Sequence, residues 1–314
     1  MQTVKTSSSH PFRSAQARAE YRALYMQRAR AWPVASETRI IETPSGQTFV
    51  RLSGRLTDPP LILLPGSQGT SLTWIPNIAA LSAHYRTCAL DSIYDFGLSV
   101  SRRNIKKPED LVTWLDEVLR VLVPEGPLSL VGLSYGGWLA SQYALRFPER
   151  LHKVVLLAPA VTVLPVSFAL ICRALLTLIP LPGFRQQFYY WLLHDSVQSG
   201  ETGRAFVDEA VADWAVAERC FGPLPRVIAT VLDDKILEDF RVPCLFLVGE
   251  NEKIYSARKA VKRLNRVAPW IKTELIPRAG HDLWMVQADL VTSMILGFLG
   301  EREAGNTNSV QRME

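Results

Sequence analysis

Short apolar runs alternate along the chain with longer segments whose apolar residues recur at helical spacing. The apolar runs predict strands, because a continuous apolar stretch of four to eight residues is typical of a buried strand. Residues 39–43 and 48–53 instead alternate between apolar and polar positions, as strands with one covered face do. The other predicted strands are residues 61–64, 87–90, 128–133, 153–157, 244–248 and 273–276. Strands that alternate with helices favour a mostly parallel sheet flanked by helices on both faces. The pattern therefore predicts an α/β fold with a mostly parallel, eight-stranded sheet.

The helical segments are recognised by apolar residues three and four positions apart. Residues 108–122 carry the clearest pattern, with Glu109 and Asp110 in the first turn, where acidic groups favour a helix N-terminus. Residues 13–31 form a second amphipathic segment, which Pro33 ends. Further helices are predicted near residues 74–83, at 256–267 and at 283–299.

The alternation stops between residues 160 and 236. This part contains no good strand pattern, and its helical patterns are rich in Leu, Phe, Tyr and Trp. We expect a helical cap, inserted after the sixth strand, that covers the upper edge of the sheet. The predicted organisation is an N-terminal extension with an amphipathic helix (1–36), a core in two parts (37–160 and 238–300), the cap (161–237) and a disordered tail (301–314).

Charge changes this picture little. The 314 residues carry a formal net charge of +5, and much of the excess lies in the first helix. Its arginines are Arg13, Arg18, Arg22, Arg28 and Arg30. Elsewhere no basic face is interleaved with aromatic residues, so we expect a solvated helix face and no nucleic-acid partner.

Targeting and cysteine patterns predict a cytoplasmic protein. The first nine residues lack the apolar core of a secretory signal. The most apolar stretch, residues 161–182, is interrupted by three prolines and an arginine, which disfavours a stable membrane span. The four cysteines have no metal-ligand spacing, so we expect them to be reduced, with no metal and no cofactor. They are Cys88, Cys172, Cys220 and Cys244.

The stretch around Ser134 carries the first chemical signal. Gly132, Ser134 and Gly136 form a G-x-S-x-G pattern between a predicted strand and a predicted helix. In that setting the glycines avoid collisions at a tight, strained turn, and the serine hydroxyl stands at the end of the sheet beside a helix N-terminus. We therefore predict Ser134 to be a nucleophile.

A serine nucleophile needs a base, and the base needs a carboxylate that orients it. On this topology both should follow strands, in the order serine, acid, histidine. His281 follows the strand at 273–276, and Glu252 follows the strand at 244–248. We predict these two as base and acid, with Glu250 and Asp239 as competing acids. The other four histidines are expected at the surface or in packing roles: His10, His84, His152 and His194.

A tetrahedral oxyanion needs two preset N–H donors. One is expected from Tyr135, the residue after the nucleophile. The other is expected from Ser67, with Gln68 as the fallback, because Gly66 allows the loop backbone to approach closely. The alternative is that residues 65–70 are only a tight turn.

Five segments together resemble the α/β-hydrolase fold over roughly residues 37–300. They are Leu64-Pro-Gly-Ser-Gln, Val131-Gly-Leu-Ser-Tyr-Gly-Gly, Phe147-Pro-Glu-Arg-Leu, Val248-Gly-Glu-Asn-Glu and Ala279-Gly-His. Within that superfamily, Gly69-Thr-Ser-Leu-Thr-Trp-Ile-Pro-Asn-Ile and Gly249-Glu-Asn-Glu-Lys-Ile-Tyr resemble bacterial carboxylesterases of the naproxen-esterase type. Those proteins also carry an N-terminal helix and a glutamate at the acid position.

The sequence departs from the superfamily pattern in three places. The oxyanion loop usually begins His-Gly, and here Pro65 stands before the glycine. The acid is a glutamate where aspartate is commoner. After the base, Val286 and Ala288 replace the usual glutamate and proline.

The resemblance implies a serine hydrolase that cleaves carboxylic esters through an acyl-enzyme. The apolar cap favours a small to medium hydrophobic ester, held between the cap and the carboxyl edge of the sheet. Two alternatives stay open. One is another reaction of the same triad, on a thioester, a lactone or a carbon–carbon bond, or perhydrolysis. The other is a slow-turnover ligand sensor. The sequence carries no signal for an oligomeric state.

Overall fold

The structure is a computed structural model, and it describes residues 11–179, 183–224 and 227–301. The disorder expected for the first residues and for the tail concerns mainly positions outside these ranges. The same holds for two of the prolines in the apolar stretch, Pro180 and Pro182.

The centre of the molecule is a twisted sheet that contains all eight predicted strands. In chain order the strands are β1 (Glu37–Thr43), β2 (Gly46–Ser53), β3 (Pro60–Leu64), β4 (Arg86–Leu90), β5 (Val100–Ser101), β6 (Leu128–Leu133), β7 (Leu151–Leu157), β8 (Cys244–Gly249) and β9 (Lys272–Ile276). The spatial order is β1-β2-β4-β3-β6-β7-β8-β9, and β5 pairs with β2. β5 was not predicted, because two residues are too few for a recognisable pattern.

Pairing in the sheet is antiparallel at one side and parallel over the rest. β1 with β2 and β2 with β4 are antiparallel, whereas every pair from β4 through β3 and β6 to β9 is parallel. All six residues of β6 are buried, as expected for a strand covered on both faces. Gly132 is aligned with Leu64 of β3 and Leu156 of β7, so three strands end together at the carboxyl edge.

Twelve α-helices are described around this sheet. They are α1 (Ala15–Ala29), α2 (Ile75–Ser82), α3 (Pro108–Leu122), α4 (Tyr135–Arg146), α5 (Phe168–Leu176), α6 (Phe184–Leu192), α7 (His194–Gln198), α8 (Glu201–Cys220), α9 (Asp234–Glu238), α10 (Ala257–Val267), α11 (Leu283–Val286) and α12 (Ala288–Gly300). α3, α4 and α10 contribute to the hydrophobic cluster on one face of the sheet. α2 and α12 contribute to the cluster on the other face, which completes the layered core.

The segment predicted as one helix forms two helices in the structure. The pattern at 283–299 predicted a continuous helix, but α11 and α12 are separated at Gln287, whose φ of −124° and ψ of 38° leave the helical region. The side-chain amide of Gln287 donates to the carbonyl of Pro277 at 3.0 Å. The apolar periodicity runs across this interruption, so the pattern alone could not reveal it.

The N-terminal helix α1 packs against α8 and the core. Tyr21 and Tyr25 are buried, and the Tyr25 hydroxyl donates to the Asp91 carboxylate at 3.1 Å. Arg28 forms ion pairs with Asp213, at 2.7 Å, and with Glu209, so it was wrong to assign this arginine to a solvated face. The four other arginines of the segment are exposed, as expected.

Helices α5 to α9 lie between β7 and β8, after the sixth of the eight longer strands, where the cap was expected. We call residues 158–243 the helical insertion. α5 and α6 contain no buried residue. The limits at residues 161 and 237 as domain boundaries stay a prediction.

None of the helices within residues 11–179, 183–224 and 227–301 combines the length and apolar character that a membrane crossing requires.

Candidate active site

Ser134 lies on a strained turn between β6 and α4. Its φ of 51° and ψ of −115° are unusual for a residue with a side chain. A Cβ on Gly132 would lie 2.3 Å from the Gly136 carbonyl oxygen, and a Cβ on Gly136 would lie 2.4 Å from that of Pro65. Both glycines are therefore required by close backbone approach, as the motif predicted. The Ser134 N–H donates to the carbonyl of Leu157 at 2.8 Å, which holds the turn against β7.

The three residues predicted from strand ends come together in one hydrogen-bonded chain. His281 Nε2 lies 2.9 Å from Ser134 Oγ, and His281 Nδ1 lies 2.9 Å from Glu252 Oε2. Because a carboxylate only accepts hydrogen bonds, Nδ1 carries a proton and Nε2 is left to accept from the serine hydroxyl. This is the tautomer that a general base for Ser134 requires.

Glu252 is held in place by its own loop. Its Oε1 accepts the N–H groups of Lys253 and Ile254, both at 2.8 Å, while Oε2 faces the histidine. The competing acids point elsewhere. Glu250 accepts the N–H of Arg278 at 2.8 Å, and Asp239 pairs with Arg241 at the surface.

Charge and burial act in opposite directions on His281. Burial lowers the pKa of the imidazole, the adjacent Glu252 carboxylate raises it, and the net pKa lies above the ordinary value of 6.5. The pairing thus favours the imidazolium that forms when the histidine takes a proton.

The two residues predicted to supply the oxyanion donors belong to segments that adjoin Ser134. Tyr135 is the first residue of α4, where a backbone N–H has no partner within the helix. A Cβ on Gly66 would lie 3.1 Å from Ser134 Cβ, so the loop that carries Ser67 passes directly beside the serine. The fallback donor is less available, because the Gln68 N–H donates to Asp95 Oδ2 at 2.7 Å.

The other described histidines lie away from this chain of hydrogen bonds. His84 follows α2, His152 lies within β7 and His194 begins α7; all three are exposed. His10 lies outside the described residues. Within those residues, no group of three or more His, Cys, Asp or Glu side chains could hold a metal ion.

Two carboxylates beside the site were not anticipated. Asp282 is fully buried, and it accepts the Ser196 N–H at 2.7 Å, the Ser196 hydroxyl and the Gly280 N–H at 3.2 Å. Burial raises the pKa of this carboxyl group. Asp195, the neighbour of Ser196, accepts from the Asn251 amide at 2.9 Å. These contacts tie α7 to the loops of His281 and Glu252. Only the position of Asp282 next to His281 could have drawn attention to it.

The helical insertion covers the site. Ser134, Glu252 and His281 are only 8%, 9% and 7% exposed. The Tyr135 hydroxyl donates to the carbonyl of Val227 at 2.7 Å, which joins α4 to the insertion. The site therefore lies beneath a contact between the core and the insertion.

Comparison with known proteins places this chain in a family. Residues 61–293 match the alpha/beta hydrolase family. Carboxylesterase YbfK of Bacillus subtilis is 31% identical over 277 residues, covering 88% of this chain and 92% of the relative. An uncharacterized carboxylesterase, nap, of the same organism is 34% identical over 280 residues, covering 88% and 91%. A crystal structure of naproxen esterase (carboxylesterase NP) from Bacillus subtilis superposes with a TM-score of 0.82 at 32% identity, covering 91% of this chain and 99% of that one.

The chain belongs to the alpha/beta hydrolase family. It is an enzyme, a hydrolase similar to the bacterial carboxylesterases, and the resemblance drawn from its motifs is confirmed.

Proposed function

We propose that the chain cleaves carboxylic esters of small to medium hydrophobic substrates through an acyl-enzyme. Ser134 is the nucleophile, His281 the base and Glu252 the acid that orients it. The observation that carries this proposal is the unbroken chain of two 2.9 Å contacts from Ser134 Oγ through the imidazole to the Glu252 carboxylate. The similarity to carboxylesterases over most of the chain supports the ester bond as the one that is cleaved.

Acylation begins at the serine. Ser134 Oγ attacks the ester carbonyl carbon while its proton moves to His281 Nε2, and the Glu252 carboxylate stabilises the imidazolium that forms. The tetrahedral intermediate then collapses. Its bond to the alcohol oxygen breaks, His281 gives that oxygen the proton, and the acyl group stays on Ser134.

Deacylation repeats these steps with water. His281 takes a proton from water, and the resulting hydroxide attacks the acyl carbon. The bond to Ser134 Oγ then breaks, the serine regains its proton from the imidazolium, and the carboxylate product leaves.

Both tetrahedral intermediates carry negative charge on the former carbonyl oxygen. We assign this role to the amides of Tyr135 and Ser67, which is supported by the place of Tyr135 at the N-terminus of α4 and by the close approach of the Gly66 backbone to Ser134. The N-terminus of α4 adds a favourable partial charge. One such donor is worth about 10²- to 10³-fold in kcat in comparable sites. The apolar character of the insertion favours a hydrophobic acyl or alcohol group.

The test compares the wild type with Ser134→Ala on p-nitrophenyl acetate, butyrate and octanoate. We expect the variant to lose about 10⁴-fold or more in kcat, since removal of a triad nucleophile leaves only the background of the site. Ser256→Ala is the matched control, because Ser256 is exposed and its side chain makes no cap hydrogen bond.

Three further results bear on the proposal. A fluorophosphonate should add one covalent group to the wild type and none to Ser134→Ala, as measured by intact mass. A parallel panel of thioesters, lactones and carbon–carbon substrates distinguishes the alternative reactions of the same triad. If the wild type releases no nitrophenol above the variant, the esterase function is wrong.

A further inference from the structure

Gln68, the residue after the predicted oxyanion donor Ser67, lies where three elements meet. Its backbone N–H donates to Asp95 Oδ2 at 2.7 Å, in the loop after β4. Its carbonyl accepts the indole N–H of Trp214 in α8 at 3.0 Å. Its side-chain oxygen Oε1 accepts the hydroxyl of Tyr189 in α6. Two of these partners belong to the helical insertion and one to the core.

The backbone at Gln68 is strained, and the three hydrogen bonds described above hold it in this conformation. Gln68 has a φ of 61°, in the left-handed region that favours glycine. The Gly69 N–H donates to the Gly66 carbonyl at 3.0 Å, which closes a four-residue turn with Ser67 and Gln68 at its centre. A turn with positive φ at its third position usually has glycine or asparagine there. A glutamine persists in this geometry because its surroundings hold it.

The partners of Gln68 are themselves fixed. The rings of Tyr189 and Trp214 lie with their centroids 4.3 Å apart, so the two donors are oriented together. Burial raises the pKa of Tyr189 to about 12, so its hydroxyl keeps its proton at neutral pH and donates. Tyr189 and Trp214 lie 121 and 146 residues from Gln68 in the sequence, and both bond to this one loop residue.

The residue before the turn cannot anchor the turn through a backbone N–H. Pro65 precedes the turn, and proline has no N–H with which to bond a neighbour. The Ser67 amide must nevertheless point at the oxygen that becomes charged beside Ser134. Its direction depends on the turn, and the turn is held at Gln68.

We propose that Gln68 is a positioning residue for the oxyanion site, and that Tyr189 and Trp214 of the helical insertion hold it so that the Ser67 N–H points at the developing charge. This proposal rests on the proposed esterase function. Gln68 itself touches no reacting atom and acts through its neighbour. The insertion would then be part of the catalytic arrangement as well as its cover.

A donor that serves only the charged intermediate leaves a distinct kinetic signature. Its misdirection lowers kcat, and it leaves KM nearly unchanged because the uncharged substrate gains little from it. It also weakens any inhibitor whose bound form is an oxyanion. A trifluoromethyl ketone is such a probe, because addition of Ser134 Oγ to its carbonyl gives a tetrahedral hemiketal anion while the proton moves to His281.

The experiment uses the double variant Tyr189→Phe/Trp214→Phe, which removes the hydroxyl and the indole N–H and keeps two aromatic rings. We expect kcat for p-nitrophenyl butyrate to fall about 10- to 100-fold, somewhat less than the loss of an entire oxyanion donor. KM should stay within about twofold, and Ki for the trifluoromethyl ketone should rise by the same factor by which kcat falls.

The matched control is Tyr190→Phe/Trp270→Phe. Tyr190 is the neighbour of Tyr189 and donates to Asp208, and Trp270 donates to the carbonyl of Phe240. Neither contact involves the oxyanion loop, so this pair should keep wild-type kcat and Ki. Thermal unfolding of all variants checks that they are folded at the assay temperature.

A mutant cycle tests whether the effect acts through Gln68. Gln68→Met removes the acceptor of the Tyr189 hydroxyl at similar side-chain length. Tyr189→Phe should therefore add little further loss when Gln68 is already Met.

The role of Gln68 is overturned if the double variant keeps wild-type kcat, if kcat falls while Ki stays constant, or if the losses in the cycle add. These outcomes are read against an active wild type. An inactive wild type would instead contradict the esterase function itself, so the two failures are distinguishable.

Discussion

The helices that flank the sheet and the first two helices of the helical insertion differ in how much apolar surface they bury. α3 and α4, which flank the sheet, contain six and eight buried residues. α5 and α6 of the insertion contain none, and Phe168 and Leu178 are 79% and 76% exposed. Burial of apolar surface therefore stabilises the sheet region far more than it stabilises this part of the insertion.

Other parts of the insertion, such as Leu232, Leu237 and Phe240, are buried in the core, but at the edge of the site α6, α7 and α8 contact the core through polar groups. Ser196 reaches Asp282 beside the base, and Trp214 and Tyr189 reach Gln68 beside the oxyanion loop. Hydrogen bonds depend on direction, whereas apolar burial does not. We infer that the sheet region supplies most of the stability and places the site residues at its strand ends. The polar contacts of the insertion then fix the direction of the loops that carry His281 and Gln68.

The largest effect is expected at a strand end. Glu252→Gln keeps the shape of the side chain but removes the charge that, in the proposed mechanism, stabilises the His281 imidazolium and fixes its tautomer. We expect kcat to fall about 10³- to 10⁴-fold, as in other triads that lose this carboxylate. Steady-state kinetics on p-nitrophenyl butyrate measures it. A loss below about tenfold would mean that another group orients the base.

The same variant has a signed pH dependence. The wild-type His281 pKa lies above 6.5, so kcat/KM should rise with pH through an apparent pKa above that value as the base becomes neutral. Without the Glu252 carboxylate, the lowering effect of burial on the His281 pKa is opposed only by the smaller raising effect of Asp282, so the acid limb of Glu252→Gln should move to lower pH. Profiles from about pH 5 to 9 test the direction; a shift to higher pH contradicts it.

The next effect concerns stability rather than chemistry. Leu61 begins the fully buried part of β3, at the end of the strand away from the site. Leu61→Ala should lower the free energy of unfolding by about 2–5 kcal/mol through lost burial and the cavity left behind. Urea unfolding measures this change. At a temperature where the variant is folded, kcat should stay close to wild type.

A smaller effect is expected where the insertion meets the base loop. Ser196→Ala removes the hydroxyl that donates to Asp282 and leaves the backbone N–H in place. One buried carboxylate then loses one donor, which costs about 1–3 kcal/mol of stability. We also expect a several-fold loss in kcat, because Asp282 adjoins His281. Ser256→Ala is again the control, and equal stability of both variants would contradict this contact.

The smallest change in stability is expected for a leucine on the exposed face of the insertion. Leu175 lies on α5 and is 58% exposed, so Leu175→Ala should change the free energy of unfolding by no more than about 0.5 kcal/mol. The substitution is the same as at Leu61, and urea unfolding of the two variants side by side measures the difference. A loss at Leu175 as large as that at Leu61 would show that the insertion is stabilised like the core.

The sequence alone determined the longer strands of the sheet and the candidate side chains at its carboxyl edge. Each long strand is a short run of residues with a local apolar or alternating pattern, and burial of apolar side chains leaves a pattern that can be read within a few residues. Ser134, Glu252 and His281 each follow such a run. Because parallel strands end at one edge, three separate local signals predicted one site, and the structure brings those side chains within hydrogen-bond distance.

Only the tertiary structure decided how the loops of that site are held. The break at Gln287, the ion pairs of Arg28 and the bonds to Asp282 and Gln68 leave no periodic trace in the sequence. The partners of Gln68 lie 121 and 146 residues away, and Ser196 lies 86 residues from Asp282. A hydrogen bond depends on the distance and angle between two groups, and for groups so far apart in sequence the packing of the whole chain sets both.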